Sequence, residues 1–270
     1  MRRIAHISDI HFGREDPRLV QGLLTSLEAA GPDLIAVSGD LTQRARVSQF
    51  VAARAFLDAL PRVPTLVVPG NHDVSTTNLV ERFTRPLARY RRHITREMEP
   101  FLEDEEVAVV GINTVRVLST KDGRINHRQV SCACARLNDV EPDRVRVVVT
   151  HHPMDLPMED TRNALVARSK MAMTGFADCR VDLFLSGHLH TGQTVTTMKR
   201  YGIAGFSAIV AQAGTAVSTR TRGVANSWNM IHVEKDTIGI QQMVWEPGGF
   251  EEGAMTVFEK QSDGWVERAS

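Results

Sequence analysis

The 270-residue chain has little of several things that mark a function class. It contains three cysteines, an odd number, and aromatic residues make up 6% of it. Cys132 and Cys134 lie two apart in a stretch that reads as helix, so their side chains point away from each other. They are expected as buried or half-buried thiols, not as a metal or redox pair. The chain also lacks a charge bias: 32 Lys and Arg face 32 Asp and Glu, a formal net charge of zero. Bulk electrostatics therefore point neither to nucleic acid nor to a membrane, and any bias must be local. No run approaches the ~20 apolar residues of a membrane span. Met1-Arg2-Arg3-Ile4-Ala5-His6 leads straight into a strand-like run, with no apolar leader and no small-residue cleavage site. These absences set the expectation of a reducing, cytoplasmic protein. What is present is ordinary for a soluble globular chain, 42% apolar and 24% charged, and long enough for a sizeable core.

From Ile4 to Ser186 strand-like and helix-like segments alternate. Short apolar runs at Ile4–Ser8, Leu34–Ser38, Thr65–Val68, Val107–Ile112, Val145–Thr150 and Asp182–Ser186 predict strands covered on both faces. Arg18–Ala30 has helical spacing, with Leu19, Leu23, Leu24 and Leu27 on one face, and stops at Gly31-Pro32. Val47–Leu60 reads as a second helix, ended by Pro61, and Asn78–Met98 as a long helix interrupted near Pro86. After Gly192 come strand-like runs at Thr194–Lys199, Ile203–Ala211, Met230–Lys235, Thr237–Trp245 and Ala254–Glu259, with a turn at Asp236. These predict antiparallel hairpins in a second sheet. With no repeat and no low-complexity linker, the expectation is one α/β domain over residues 1–270, two packed sheets with helices outside.

The chemistry lies at the ends of the strands. Five predicted strands run directly into Asp9-Ile10-His11, Gly39-Asp40, Pro69-Gly70-Asn71-His72-Asp73, His151-His152-Pro153 and Gly187-His188-Leu189-His190. The carboxyl ends of strands in α/β sheets share an edge, where ligand sites form. Residues far apart in sequence can therefore converge. Carboxylate, imidazole and amide oxygen without thiolate suit Mn, Fe, Zn or Co in a catalytic centre better than a structural zinc. A pair of such metals needs a bridging carboxylate and generates hydroxide near neutral pH. Asp40, from the second convergent strand, is the natural bridge. Gly39, Gly70 and Gly187 permit tight turns and close backbone approach. Asp-x-His or Gly-Asp alone says little; the joint occurrence, in this order and at strand ends, carries the reading.

The series Asp9-x-His11, Gly39-Asp40, Gly70-Asn71-His72-Asp73, His151-x-Pro153 and Gly187-His188-x-His190 resembles the signature of calcineurin-like metallophosphoesterases. The resemblance covers roughly residues 1–192; the later strands are similar only in pattern. It implies a four-layer α/β/β/α sandwich of two mixed sheets flanked by helices. It implies two divalent metal ions, one held by Asp9, His11, Asp40 and His190, the other by Asp40, Asn71, His151 and His188. It further implies that His72 contacts the phosphate or, as imidazolium, protonates the leaving oxygen, and that Asp73 orients His72. The implied reaction is hydrolysis of a phosphodiester by a hydroxide bridging the metals. The Gly-Asn-His-Asp and His-His-Pro segments are similar to those of bacterial cyclic-nucleotide and glycerophosphodiester phosphodiesterases.

Two further stretches bear on substrate. Residues 81–96 hold Arg82, Arg85, Arg89, Arg91, Arg92 and Arg96 against Glu81, and six acids occur between Glu97 and Glu106. This is either a solvated helix with locally balanced charge or a cap insertion at about residues 78–106. In the second case Arg82, Arg85 and Arg89 would bind an anionic part of the substrate. Met154–Gly175, with Met154, Leu156, Met158, Leu165, Met171 and Met173, is either an apolar substrate wall or a helix packed on the sheet. His152 faces either the site or the opposite side. The expected partner is a small phosphoester, with no nucleic acid and at most peripheral membrane contact. Alternatives are a pyrophosphate hydrolase on a nucleotide-linked lipid of the UDP-diacylglucosamine type, a phosphomonoesterase, and a non-enzymatic metal-binding scaffold.

Overall fold

A computed structural model describes residues 1–76, 78–157, 165–221 and 223–268. The chain opens with β1 (Arg2–Ile7), α1 (Pro17–Ala30), β2 (Leu34–Val37), α2 (Val47–Asp58) and β3 (Thr65–Val67). Pro17 starts α1 where its missing N–H costs nothing, Asp16 caps it through the Arg18 amide, and Gly31 ends it in the left-handed region. Two short helices come next, α3 (Leu79–Thr84) and α4 (Ala88–His93), then β4 (Phe101–Glu103) and β5 (Val107–Ile112). The expected long helix over 78–98 is thus broken between Thr84 and Ala88. Pro86 lacks the amide a continuous helix needs and restricts Arg85 before it.

The second half runs α5 (His127–Asn138), β6 (Val145–Thr150), α6 (Ser169–Asp178), β7 (Leu183–Ser186), β8 (Gln193–Thr196), α7 (Met198–Tyr201) and β9 (Ile209–Gln212). It closes with β10 (Ser227–Val233), β11 (Thr237–Glu246), β12 (Gly249–Gln261) and β13 (Gly264–Glu267). One sheet has the order β13-β12-β11-β10-β1-β2-β3 and the other β4-β5-β6-β7-β9-β8. The C-terminal hairpins therefore do not found a second sheet, as their pattern suggested. They extend the first: β10 pairs antiparallel with β1, from Arg2 opposite Val233 to His6 opposite Asn229. The second sheet is built from the middle of the chain. Of the expected strand Ile203–Ala211, only residues from Ile209 onward join it.

Three apolar clusters make four layers. Alternation sends Ile4, Leu34 and Ala36 of the first sheet toward Val107, Val109, Val147 and Leu185 of the second, in a core between the sheets. The opposite face, with Ala5, Ile7, Ile35 and Val37, packs on Leu23 and Leu27 of α1 and Phe50 and Phe56 of α2. The outer face of the second sheet, with Ala108, Val110, Val148 and Phe184, packs on Val130 and Leu137 of α5 and Met173 and Phe176 of α6. Strands covered on both faces must be apolar throughout, which explains the continuous runs in the sequence.

Cys134 of α5 and Cys179 after α6 form a disulfide, with Cα atoms 5.4 Å apart. Cys134 is thus not the free thiol expected, and the reducing-compartment argument loses that support; Cys132 is free and exposed. No helix among the described residues is long and apolar enough to cross a membrane.

Candidate metal centre

Hydrogen bonding between β1 and β2 continues past the strands into the loops that carry the acids. Asp9 N donates to Gly39 O at 3.1 Å, His11 N to Asp40 O at 2.9 Å and Phe12 N to Leu41 O at 2.9 Å. The second sheet does likewise, Gly187 N donating to His151 O at 3.1 Å. Both sheets thereby present their carboxyl edges to one place. The backbone is strained there. Asp9, His11, Asp40, His188 and His190 all have positive φ, between 49° and 76°. Non-glycine residues seldom adopt this region, and such strain concentrates at functional sites. Gly39, at φ 96°, is needed as glycine: a Cβ would sit 2.8 Å from His151 Nδ1. A Cβ on Gly70 would collide with the Asp40 carboxylate.

Five side chains share one arrangement, with one polar atom tied by the protein and the other turned inward. Asp9 Oδ2 accepts from His188 N at 2.9 Å, while Oδ1 is buried without a hydrogen-bond partner. Asp40 Oδ1 accepts from His72 N at 2.8 Å, while Oδ2 lies 3.6 Å from His11 Nε2 and 3.4 Å from His151 Nε2. Asn71 Nδ2 donates to Thr120 O at 3.0 Å, while Oδ1 lies 3.1 Å from both His151 Nε2 and His188 Nδ1. His151 Nδ1 is 2.8 Å from Ser38 O, and His190 Nδ1 is 2.6 Å from Thr215 Oγ1. His190 Nε2 then lies 3.7 Å from Asp9 Oδ1, and His11 Nε2, also unpartnered, lies 3.6 Å from that oxygen.

These contacts identify what the site is built to hold. Ser38 O can only accept, so His151 Nδ1 carries a hydrogen, and Nε2 is the atom left to face Asn71 Oδ1 and Asp40 Oδ2. Oxygens of Asp9 and Asp40, both buried, lie within 4.8 Å of each other and of a His151 nitrogen, and negative charge concentrated in a buried space calls for a cation. Donors roughly 2 Å from a shared metal lie about 3–4 Å from one another, the spacing found here. Anchoring the far ring nitrogen of a histidine is also how metal-ligating imidazoles are oriented. The residues fit divalent metal, and Asp40 Oδ2 is common to both halves of the cluster.

The electrostatics agree. Burial pushes Asp9 upward, but His11, then His190 and His151, outweigh it and hold the acid below its ordinary range. Asp40, also lifted by burial, is held well below that range by His151 and His11. Burial lowers His188 and His190 to about 4, so both rings are neutral at physiological pH. His151 differs: burial lowers it, but Asp40 raises it to about 9. The same concentration of negative charge that favours a proton there favours a metal.

The other sequence-derived candidates fall elsewhere. Asp73 does not hold the His72 ring. Its carboxylate accepts from Leu41 N (3.2 Å), Gly70 N (3.0 Å), Thr42 N (2.9 Å) and Thr42 Oγ1 (2.9 Å), tying the Asp40 loop to the Asn71 loop. The His72 ring stands edge-on to His11, with centroids 4.8 Å apart. Its Nδ1 is 2.8 Å from Gln43 O, and its Nε2 accepts from Arg220 Nη1 at 2.8 Å. A ring donating from one nitrogen and accepting at the other is neutral, not the imidazolium expected. Burial pushes its pKa down, and Arg220 adds to that.

His152 packs beside His188 but is occupied, with Nδ1 2.8 Å from Thr114 Oγ1 and Nε2 2.9 Å from Lys121 O. Arg82 is buried and donates to Val117 O, Ser75 O and Ser119 O. Arg89 is paired with Glu81 and bonded to Ala45 O. Arg85 is exposed at the end of α3. Met154 and Met173 are core residues and Met171 packs against them, while Met158 lies outside the described residues. Sequence reading missed Thr215 and Arg220, which sit in a Ser/Thr-rich loop with no periodicity or motif to mark them.

Similarity to known proteins agrees with this geometry. Residues 2–192 match the calcineurin-like phosphoesterase family. The chain is 29% identical over 225 residues to a glycerophosphodiester phosphodiesterase of Enterobacter lignolyticus (strain SCF1), covering 77% of this chain and 78% of that one. It is 24% identical over 266 residues to a Synechococcus protein named probable cyclic nucleotide phosphodiesterase, covering 90% and 91%. A dimetal phosphatase from Danio rerio shares the fold with a TM-score of 0.63 at 13% identity, covering 89% of this chain and 95% of that one. A purple acid phosphatase of yellow lupin shares it with a TM-score of 0.70 at 12% identity; 93% of this chain is covered, and about half, 52%, of the lupin one. Residues 2–192 are most of the sequence, and the chain belongs to the calcineurin-like phosphoesterase family.

Proposed function

We propose that the chain is a two-metal phosphodiesterase acting on a small phosphodiester, of the cyclic-nucleotide or glycerophosphodiester class. The observation that carries this reading is Asp40 Oδ2, turned inward within 3.6 Å of His11 Nε2 and 3.4 Å of His151 Nε2. It would join a metal held by Asp9, His11 and His190 to one held by Asn71, His151 and His188. Bound there, two divalent cations supply Lewis-acid polarisation of the phosphoryl group and acidify a water molecule to near neutral pH. The chain's own part is to fix donors and exclude alternatives. The anchors at Ser38 O, Thr215 Oγ1, Thr120 O and the amides of His72 and His188 hold each ligand to one orientation. His72, beside the cluster, would meet the phosphate or the leaving oxygen with Nε2 after that atom has given up the Arg220 hydrogen bond and taken up a proton from water.

The names of the two curated relatives support a diester over a monoester. A nucleotide-linked lipid loses its motivation, since Arg82 and Arg89 are committed to carbonyls and to Glu81, and Met154 and Met173 to the core. The test is metal analysis followed by turnover of bis(p-nitrophenyl) phosphate and p-nitrophenyl phosphate. Expected are two metal ions per chain, faster cleavage of the diester, loss of turnover on chelation and recovery with Mn, Fe, Co or Zn. A single bound metal would refute the two-metal assignment, and preference for the monoester would favour a phosphomonoesterase.

A further inference from the structure

We infer that Arg220 is a phosphate-binding residue of this site, a substrate contact that rests on the phosphoesterase reading above. Its guanidinium reaches the cluster from the loop between β9 and β10 and places Nη1 2.8 Å from His72 Nε2. A neutral imidazole is a weak partner for a permanent cation, and among the described residues no carboxylate pairs with Arg220. The contrast is with Arg89 and Arg200, which pair with Glu81 and Asp155. Arg220 is half-buried, so its charge is partly desolvated without an acid to balance it. A guanidinium so placed beside a metal cluster lacks an anion, and its planar fork matches two phosphate oxygens.

The loop is built to hold the group there. Arg220 N donates to Ser218 Oγ at 3.1 Å. The hydroxyls of Ser218 and Thr219 donate to Arg14 O, as does Thr219 N, tying the loop to the segment just after His11. Asn226 Nδ2 donates to Thr215 O and Ser218 O, and Thr215 Oγ1 meets His190 Nδ1. The loop that anchors a candidate ligand thus also carries the free cation, which fixes the distance from arginine to cluster. An arriving phosphate would take the Nη1 donor from His72. The exchange frees His72 Nε2 to take up a proton from water, and the ring can then donate from Nε2 to the ester that Arg220 holds.

The experiment uses metal-reconstituted protein, with inorganic phosphate titrated calorimetrically into wild type, Arg220→Ala and Arg220→Lys, alongside diester kinetics. Loss of a charge-assisted pair of hydrogen bonds should weaken phosphate binding roughly 10- to 100-fold in Arg220→Ala and raise KM for the diester. Arg220→Lys should recover part of it, since the charge remains and the fork does not. Phosphate affinity in Arg220→Ala equal to wild type, with a lower kcat, would show that the arginine only positions His72 and would overturn the inference. If Arg220→Ala does not fold, Arg220→Gln takes its place under the same criterion. Wild-type protein that holds metal but neither binds phosphate nor turns over diester would overturn the phosphoesterase reading itself, and this inference with it.

Discussion

Replacing Asp73 by Asn separates two roles for the acid beside His72. The sequence pattern suggests that Asp73 steers the His72 ring. In the structure its oxygens receive four donors: the amides of Leu41, Thr42 and Gly70 and the Thr42 hydroxyl. Asparagine has nearly the same shape but offers one acceptor oxygen instead of two, so two donors would face an NH2. Each buried donor left unsatisfied costs about 1–3 kcal/mol. Some of that returns, because burial and the Asp40 charge already disfavour the ionised acid, raising its pKa to about 6. A net loss of about 2–4 kcal/mol is expected, which for a chain of this size lowers Tm by roughly 5–12 °C. Because the lost bonds join the Asp40 loop to the Asn71 loop, metal affinity should fall as well. Thermal unfolding of the metal-free protein and metal titration of the folded protein measure the two effects. An unchanged Tm and metal affinity with only kcat depressed would refute this account and restore the steering role.

Two further outcomes can be measured. Arg82→Ala removes three donors from the carbonyls of Ser75, Val117 and Ser119, so it should lower stability by about 2–4 kcal/mol and expose the 115–121 segment to limited proteolysis; an unaltered cleavage pattern would sink the clamp. His6, buried with Nε2 2.9 Å from Ser38 Oγ, has its pKa lowered by burial from 6.5 to about 3. Its contribution is intact above pH 6.5 and falls as pH drops toward 3, because the unfolded chain takes up a proton that the folded one refuses. The slope attributable to it is about 1.4 kcal/mol per pH unit, and His6→Asn should flatten urea-unfolding midpoints across that window; an unchanged slope would count against it.

The residues that meet in the cluster were legible because they sit where local signals are strongest. Asp9, Asp40, Asn71, His151 and His188 each come after an apolar run ending at a small residue or turn, and parallel strands bring such ends to one edge. What could not be read depends on contacts with no sequence period. The assignment of β10 to the first sheet rests on its pairing with β1, across more than two hundred residues. The Cys134–Cys179 bond spans 45 residues and joins α5 to the end of α6, while the close spacing in sequence draws notice to Cys132 and Cys134. The arginine-rich stretch resembles a cap because charge counts do not show that Arg82 turns inward to main-chain oxygens. Arg220 stayed hidden for the same reason: a loop position acquires meaning only when the fold delivers it to His72.

The oxygens of residues 117 to 121 hold a last consequence. Val117 and Ser119 are gripped by Arg82, Thr120 by Asn71, and Lys121 by His152, every contact being to main chain. The side chains of Leu118, Thr120 and Lys121 are meanwhile exposed. The amide that would present its oxygen to a metal is thus held by a segment whose side chains take no part in holding it. Those exposed side chains can therefore be exchanged without loosening the peptide oxygens that fix Asn71, Arg82 and His152.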